Sequence, residues 1–393
     1  MFPSLSTVAT SDAPRTDSRV DVLVMMPSLV RGGLERVVLR LLAGFDPERY
    51  APRLVLFGDD GRGYPRPEDI PVEVLRTNSL RSHIPELGRM WRRQPPQIVL
   101  AHASGASVVA LLARRWARRR FPVVSVSHIP VGQEHARQRD PVMRIAFKRT
   151  LRSADAVVAV SAGAARDLEQ FMGWEAGCVR VLPNVVIDDT VMAEAAEPVE
   201  HRWFRPELRV VLGAGRLTEQ KDFPTLLRAF ARVASADPSL RLLVLGEGPD
   251  RSELEALVAE LGISAVVELP GAVPNPFAYM SRSSLLVLSS AWEALPTVLV
   301  EALALGLPVV ATDCVAGPRE ILRDGSLGAL VPVKDERALA DAIASALELP
   351  LPAEALRAGA APYGRAAVRS YELLIDELLA PAMQSRAATA SEP

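Results

Sequence analysis

Cysteine is scarce in this sequence of 393 residues, which contains only Cys178 and Cys314. The two lie far apart and form no C-x-x-C pair, and the five histidines are scattered along the chain. The sequence therefore gives no signature of a structural zinc site or of a disulfide framework. We expect each cysteine to act as a small buried apolar residue in a reducing, cytoplasmic setting.

Long apolar runs are also missing. No stretch reaches the roughly 20 apolar residues that a helix needs to span a bilayer. The opening segment, MFPSLSTVATSDAPRTDSR, lacks the apolar h-region of a secretory signal. We therefore expect residues 1–18 to form a disordered polar leader. We expect a cytoplasmic protein, with peripheral attachment to the inner face of the cell membrane as a further hypothesis.

Acidic charge is scarce in the first half of the chain, and basic charge is scarce in the second. Residues 1–185 contain 27 Lys and Arg against 18 Asp and Glu, whereas the remainder contains 18 against 29. The net charges of the two parts are therefore +9 and −11, and this asymmetry predicts different partners for the two halves. The basic half includes LLARRWARRRF and RIAFKRTLR, which mix cations with apolar and aromatic side chains. Such segments favour anionic lipid surfaces, although solvated helices are an equal alternative.

Short apolar runs alternate with segments of helical periodicity, which predicts an α/β protein with parallel sheets. A first series occupies residues 19–186, and a second occupies 208–362. Acids and prolines interrupt the pattern at 187–207, which we predict to be a linker. We predict a C-terminal helix over 363–380 that packs back towards the first domain, followed by a disordered tail at 381–393. Two doubly wound domains in tandem would place a ligand in the cleft between them, at the carboxyl ends of their strands.

Two cations stand in the loop of GAGRLTEQKDFPTLLRAF, between a predicted strand and a predicted helix. Arg216 can grip an anion with two parallel hydrogen bonds, and Lys221 adds a mobile point charge. Free N–H groups at the start of the next helix also favour anions. The loop therefore suits a diphosphate, with two solvated loop charges as the equal alternative.

Glycines and histidines mark other predicted strand ends. Gly32 and Gly33 open the first helix and leave its N–H groups accessible to an anion, unless they only serve a tight turn. Gly246 ends a strand, and there a purely structural role is the favoured interpretation. His128 ends VVSVSH, where α/β folds place ligand-facing groups, and His102 ends QIVLAH in the same way. From position alone, a structural hydrogen-bonding role is the favoured interpretation for both, and more strongly for His102.

Two glutamates, Glu293 and Glu301, stand in the nearly apolar stretch SAWEALPTVLVEALALGLPVVATD. Proline belongs at a first helical turn and disfavours helix at the residue before it. Pro296 therefore places Glu293 in a loop and Glu301 on the helix that follows. Both can face the same strand end, where carboxylates accept hydrogen bonds from hydroxyl groups such as those of a sugar and a ribose. A helix cap and a solvated glutamate are the alternative.

These motifs together resemble the retaining glycosyltransferases of family 4. The second half carries the family's E-x7-E motif and the segment after it as EALPTVLVEALALGLPVVAT, and its G-R-L-x-x-x-K stretch as GAGRLTEQKDFPTLL. The first half carries its G-G-x-E-R loop as SLVRGGLERVV and its domain-closing segments as SADAVVAVSAGAARDL and VRVLPNVV. CVAGPREIL is similar to C-P-S-G-P-x-E-I-L of members that act on hexoses and N-acetylhexosamines. The resemblance runs from Val20 to about Leu379. It implies the GT-B fold, in which two Rossmann-like domains face each other across a cleft.

The resemblance implies a role for each residue. Arg216 and Lys221 would bind the donor's diphosphate, Glu301 would hold the ribose hydroxyls, and Glu293 would meet the transferred sugar. His128 matches the family's first-domain histidine near the sugar and completes the implied catalytic set. The remaining implied donor-binding residues are Gly32, Gly33, Gly215, Gly246, Val273, Ala294, Leu295, Pro296 and Thr297. The chain departs from many members at Ala294, where they have Gly, and at Asp222, where they have Gly or Asn.

The implied function is retaining transfer of a hexose or N-acetylhexosamine from a nucleotide sugar, with UDP favoured, to a glycan or lipid-linked acceptor. The sequence contains no Asp-x-Asp triad, so we expect no metal and no cofactor, with Arg216 and Lys221 in place of an ion. A GT-B sugar-nucleotide epimerase and a catalytically silent sugar-nucleotide binder are the alternatives. The basic first domain adds an anionic membrane surface as a hypothetical partner, and no nucleic acid is expected.

Overall fold

Two parallel sheets organise the chain in the computed structural model, which describes residues 18–30, 32–59, 61, 63–77, 79–132 and 141–390. The first sheet has the order β3-β2-β1-β4-β5-β6-β7 and the second β10-β9-β8-β11-β12-β13. The strands of the first are β1 (Val20–Met26), β2 (Tyr50–Leu56), β3 (Val72–Val74), β4 (Ile98–His102), β5 (Val123–Ser127), β6 (Ala156–Ala159) and β7 (Arg180–Val181). Those of the second are β8 (Arg209–Ala214), β9 (Leu240–Leu245), β10 (Val267–Gly271), β11 (Leu285–Leu288), β12 (Val309–Thr312) and β13 (Ala329–Val331). The predicted pair of doubly wound domains is confirmed.

Helices cover both sheets. The longer helices of the first domain are α1 (Gly33–Gly44), α2 (Leu80–Arg93), α3 (Ser104–Ala117), α4 (Pro141–Leu151) and α5 (Ala162–Met172), and α6 (Thr190–Ala196) lies in the connection. The second domain carries α7 (Phe223–Ala234), α8 (Arg251–Glu260), α9 (Pro276–Met280), α10 (Thr297–Leu305), α11 (Pro318–Ile321), α12 (Glu336–Glu348) and α13 (Ala353–Ala360), and α14 (Arg365–Ala390) closes the chain. Because helices lie on both faces, central strands such as β4 are buried along their whole length.

The strand order reverses once in each sheet, between β1 and β4 in the first and between β8 and β11 in the second. At such a switch point the connections after neighbouring strands leave in opposite directions and open a crevice. The loop after β1 contains Gly32, the loop after β8 contains Arg216 and Lys221, and the loop after β11 contains Glu293. The fold therefore places the predicted site loops at its two crevices.

The C-terminal helix α14 packs on the first domain. Its buried residues Val368, Tyr371 and Ile375 join the core around β1 and α1, and its buried Glu372 accepts a hydrogen bond from the N–H of Asp46 at 3.1 Å. The helix does not end at 380 as predicted: it continues through Pro381 to Ala390. The predicted tail at 381–390 is therefore wrong, because the alanine-rich AMQSRAATA has high helix propensity, while 391–393 lie outside the described residues. The predicted leader also lies outside them, apart from Ser18.

Three further features were not anticipated from the sequence. The strand β3 was not predicted, because three residues are too few to show a period. Cys178 is exposed, not buried, because it lies in the turn before the short edge strand β7, whereas Cys314 is buried as expected. The predicted linker contains the helix α6, which packs on α9 of the second domain. The Oγ of Ser281 donates a hydrogen bond to the carbonyl of Ala195 in α6, at 2.7 Å.

Candidate active site

A cleft of about 420 Å³ lies between the two domains at the crevices of both sheets. Eight of the predicted site residues line it: Gly32, Gly33, Gly215, Arg216, Gly246, Val273, Thr297 and Glu301. A Cβ atom added at Gly33 would lie 3.5 Å from Thr297 Oγ1. The glycine loop of the first domain thus closely faces the start of α10 in the second. Any larger side chain at Gly33 would narrow the cleft at this point.

Arg216 is exposed at the cleft, and no ion pair joins it to any residue that the structure describes. Glu35, in the first turn of α1, faces it across the cleft. Burial raises the pKa of the Glu35 carboxyl, while its own backbone N–H and the charge of Arg216 act to lower it. Arg216 therefore presents its guanidinium to the cavity, where an anion can bind it bidentately.

Lys221 and Glu293 form a nearly buried ion pair beside the cleft. Lys221 Nζ lies 2.6 Å from Glu293 Oε1, and the Oγ of the buried Ser290 donates to the same oxygen at 2.7 Å. Burial, followed by the charge of Glu293, raises the pKa of the neighbouring Cys314 to about 12, so this thiol stays protonated. The sequence placed Lys221 and Glu293 in one site, and the structure brings them into direct contact.

The two glutamates lie where Pro296 was predicted to place them. Glu293 is in the loop after β11, Pro296 is the N-cap of α10, and Glu301 is in the second turn of that helix. Both glutamates are buried. The intervening residues Ala294, Leu295 and Pro296 form the loop between them, next to the cavity and not among its lining residues.

The first domain holds this loop. The Oγ of the fully buried Ser161, the N-cap of α5, donates to the carbonyl of Ala294 at 2.6 Å. Beside it, the N–H of Ala162 donates to Glu320 of α11 at 2.8 Å. A Cβ atom at Gly163 would lie 2.6 Å from the Cβ of Ala316, so the two domains are in close contact here.

The loop between β8 and α7 depends on two backbone features. A Cβ atom at Gly246 would lie 1.9 Å from the carbonyl oxygen of Gly215, and Gly246 has a φ of +138°, so only glycine fits. Asp222 adopts the left-handed conformation with φ 45° and ψ 48°. Asn and Gly favour that region and Asp tolerates it, which explains how this chain accommodates its departure from the family.

His128 pairs with His102, and the sequence did not predict this contact. His102 Nδ1 and His128 Nε2 lie 2.8 Å apart, and the two rings stack. Burial lowers the pKa of both rings, that of His128 to about 4. His128 Nδ1, His102 Nε2 and Asn184 Oδ1 are buried without a hydrogen-bond partner among the described residues. His128 is thus neutral near pH 7 and does not line the cleft cavity, and its contact with a sugar stays a prediction.

Sequence reasoning also missed Arg36 and Tyr64, both of which line the cleft. Arg36 Nη1 donates to Glu301 Oε1 at 3.2 Å, and Arg36 Nε donates to Tyr64 Oη at 3.2 Å. The quoted G-G-x-E-R loop contained Arg36, but nothing in its sequence context indicated a partner so distant along the chain.

Within the described residues, no three His, Cys, Asp or Glu side chains come together in a group that could hold a metal ion. The expectation of a metal-independent reaction stays a prediction. None of the described helices has the length and apolar character that crossing a membrane requires.

Two family models match the chain. One is described as Glycosyltransferase Family 4 and matches residues 31–190, and the other is described as Glycosyl transferases group 1 and matches 200–365. The lipopolysaccharide core biosynthesis glycosyltransferase LpsE of Rhizobium meliloti is 30% identical over 273 residues, which are 65% of this chain and 76% of LpsE.

Other curated relatives are matched over less of their length. An uncharacterized glycosyltransferase of Methanocaldococcus jannaschii is 31% identical over 60% of each chain. The N-acetylgalactosamine-N,N'-diacetylbacillosaminyl-diphospho-undecaprenol 4-alpha-N-acetylgalactosaminyltransferase of Campylobacter jejuni is 32% identical, over 50% of this chain and 51% of its own length. The chain thus spans about half to three fifths of the length of these two relatives.

Solved structures share the architecture. The apo form of the lipopolysaccharide outer core galactosyltransferase WaaB aligns with a TM-score of 0.68 at 20% identity, over 93% of this chain and 99% of WaaB. HepE of Anabaena in complex with UDP gives 0.68 at 21% identity, over 93% of this chain and 100% of HepE. At such identities the likeness shows the fold. With two Rossmann-like domains facing each other across a cleft and both family models matched, the chain belongs to glycosyltransferase family 4 and has the GT-B fold.

Proposed function

We propose that this chain is a retaining, metal-independent glycosyltransferase. It moves a hexose or an N-acetylhexosamine from a nucleotide sugar, with UDP as the nucleotide, to a glycan or a lipid-linked acceptor. The observation that carries the proposal is the composition of the cleft. An exposed Arg216 and a buried Glu301 share one cavity, and the Lys221–Glu293 pair lies beside it. Cations suit a diphosphate, and carboxylates suit the hydroxyls of a ribose and a sugar.

In the proposed reaction an acceptor hydroxyl attacks the anomeric carbon on the face that the leaving group departs from. The bond between that carbon and the β-phosphate oxygen breaks, and the hydroxyl proton passes to the departing phosphate. Negative charge grows on the diphosphate as the bond breaks. Preorganised cations aimed at that charge lower the barrier, which is the role we assign to Arg216 and Lys221.

Relatives support a uridine nucleotide. HepE has been solved with UDP and with UDP-glucose, and WaaB is named a galactosyltransferase. The Campylobacter relative is named for transfer of N-acetylgalactosamine to a diphospho-undecaprenol acceptor. The sugars in these names are hexoses or an N-acetylhexosamine, the class that the motif CVAGPREIL implies by resemblance, and UDP is the nucleotide printed for HepE.

An anionic membrane surface is the partner that we propose for the first domain. Helix α2 packs on α3, and α3 packs on α4, and these three helices form what we call the basic face. Arg89 and Arg93 of α2, Arg115 of α3 and Arg149 of α4 are exposed, and the apolar Ile145, four residues before Arg149 on α4, is 63% exposed. Helices that expose both cations and an apolar side chain favour anionic lipid headgroups, where a lipid-linked acceptor would be found.

The test is incubation of the chain with UDP-linked glucose, galactose, N-acetylglucosamine and N-acetylgalactosamine, with GDP-mannose for comparison. Each donor is tested with and without lipid-linked and free glycan acceptors. A transferase releases UDP in step with acceptor glycosylation, and the product keeps the anomeric configuration of the donor. An epimerase would change the sugar without an acceptor, and a silent binder would bind a nucleotide sugar and release no UDP. Either result would reject the proposal, as would an inverted product.

A further inference from the structure

Arg36 crosses the cleft from the first domain to the second. It lies in the first turn of α1, and its Nη1 donates to Oε1 of Glu301 on α10 at 3.2 Å. Its guanidinium carbon lies 5.1 Å from the centre of the Phe277 ring on α9. Both partners belong to the second domain, so Arg36 reaches across the cleft to a carboxylate of the opposite domain.

The first domain fixes this guanidinium from behind. Arg36 Nε donates to Tyr64 Oη at 3.2 Å. The N–H of Tyr64 donates to the carbonyl of Leu29 at 2.7 Å, and a Cβ atom at Gly63 would lie 1.7 Å from that carbonyl oxygen. Gly63 thus permits the close approach that brings Tyr64 to the cleft. Arg36 is held by a hydrogen bond on each side and by an aromatic ring, which leaves its planar fork little freedom.

Glu301 keeps one oxygen for a ligand. Glu301 is 4% exposed and lines the cleft cavity. Arg36 occupies Oε1, and no hydrogen bond from any residue in the described part of the chain reaches Oε2. Burial acts to lower the pKa of Arg36, but Glu301 and Tyr64 raise it overall, so the guanidinium stays charged and neutralises the buried carboxylate. A carboxylate with one oxygen fixed by a guanidinium presents the other in a defined direction.

We propose that Arg36 is a positioning residue for the ribose of the nucleotide. It orients Glu301 so that Oε2 faces the ribose hydroxyls, and the chain thereby distinguishes a ribonucleotide from a deoxyribonucleotide. This inference rests on the proposed function, in which Glu301 faces the nucleotide of the donor. Because Arg36 belongs to the opposite domain, the ribose site is complete only when the two domains face each other as they do here.

The test compares the affinities of UDP and 2′-deoxy-UDP by calorimetry, which needs neither an acceptor nor turnover. Hydrogen bonds to charged groups contribute about 1.5–3 kcal/mol, so we expect wild-type protein to bind UDP at least about tenfold more tightly than 2′-deoxy-UDP. In Arg36→Met we expect this ratio to fall to about two or less, because Glu301 loses its orientation. Arg36→Lys keeps the positive charge but loses the planar guanidinium, so its UDP to 2′-deoxy-UDP affinity ratio should lie between those of Arg36→Met and the wild type. Tyr64→Phe removes the hydrogen bond to Arg36 Nε and should lower the wild-type ratio only in part.

Arg40 offers a matched control on the same helix. Its guanidinium carbon lies 5.6 Å from the same Phe277 ring, but it pairs with Asp188 at 3.0 Å and lines only a neighbouring cavity, not the cleft. Arg40→Met should therefore leave the ratio unchanged, whatever it does to the thermal midpoint. In a Glu301→Gln background, adding Arg36→Met should change the ratio no further, because both residues act through one contact.

Three outcomes reject the inference. An unchanged ratio in Arg36→Met, with both affinities lowered equally, would mean that Arg36 only supports the fold. A rise in UDP affinity would mean that Arg36 competes with the ribose for Glu301. Equal affinities of the wild-type protein for UDP and 2′-deoxy-UDP would show that the protein makes no energetically significant contact with the 2′-hydroxyl of the ribose. If wild-type protein binds GDP and not UDP, the uridine part of the proposed function fails, and GDP with 2′-deoxy-GDP tests the role of Arg36 by the same criteria.

Discussion

Replacing Lys221 by Met should destabilise the second domain and abolish activity, and the two effects can be separated. In the structure, the Lys221 ammonium is 2.6 Å from a carboxylate oxygen of Glu293, whose side chain is only 8% exposed. The substitution removes the cation and leaves the carboxylate buried. Removing one partner of a buried pair typically costs about 3–5 kcal/mol.

The structure places the expected loss at the lower end of that range. Ser290 still donates a hydrogen bond to Glu293 Oε1 at 2.7 Å, and the Lys221 side chain is 16% exposed, so the pair is not fully desolvated. We expect a loss of about 3 kcal/mol in Lys221→Met, which corresponds to a fall of about 6–12 °C in the melting temperature of a domain of 150–250 residues. Glu293→Gln keeps the shape, the bond from Ser290 and an acceptor oxygen for Lys221, whose side chain is 16% exposed and can be hydrated, so this change should cost only about 1 kcal/mol.

Scanning calorimetry of both single variants and of the double variant measures the coupling. The double variant buries no unpaired charge, so its melting temperature should lie within about 4 °C of wild type. Its transferase activity should nevertheless remain lost, because both side chains are needed at the donor. A Lys221→Met protein that melts with the wild type, or a double variant as unstable as Lys221→Met, would refute the argument that the pair stabilises the loop.

Three other properties follow from the structure. Burial lowers the pKa of His128 from 6.5 to about 4, so between these pH values the unfolded chain binds a proton that the folded chain does not. The free energy of unfolding should therefore keep its full value above pH 6.5 and fall by about 2–3 kcal/mol towards pH 4. Urea unfolding of His128→Asn should show a smaller fall over the same pH range. Ser161→Ala should lower the free energy of thermal unfolding by about 1–2 kcal/mol more than Ser79→Ala does. Both serines cap helices, but only Ser161 also donates a hydrogen bond across the domains. Equal losses in the two variants would contradict this reasoning. Wild-type protein should sediment with anionic vesicles at low salt and less at high salt, and Ile145→Glu should weaken the binding. Binding that is unchanged both by high salt and by Ile145→Glu would contradict the basic face as the contact surface.

Much of the fold could be predicted because its signals are local. The buried central strands are continuous apolar runs, and Pro296 alone separated the loop that holds Glu293 from the helix that holds Glu301. The loop after β8 was also recognisable, because two cations and a glycine stand together between a strand and a helix. Such features depend on neighbours within a few residues, which a sequence displays directly.

The missing parts depend on residues that are distant along the chain. Arg36 pairs with a carboxylate 265 positions away, and its support from Tyr64 comes from a loop without regular structure. The contact between His102 and His128 joins the ends of two adjacent strands, and it is visible only once β4 and β5 are known to be neighbours. The end of α14 was misplaced for another reason: Pro381 usually ends a helix, but here the alanine-rich segment after it continues the helix.

Nucleotide titration probes the donor site itself. UDP is titrated into wild-type protein and into Arg216→Ala and Glu301→Ala, each shown to be folded by its melting temperature. We expect one UDP site per chain in the wild type and a loss of at least about tenfold in affinity in each variant, since each residue contributes about 1.4 kcal/mol or more. UDP that binds both variants as tightly as it binds the wild type would contradict the assignment of the donor site to this cleft.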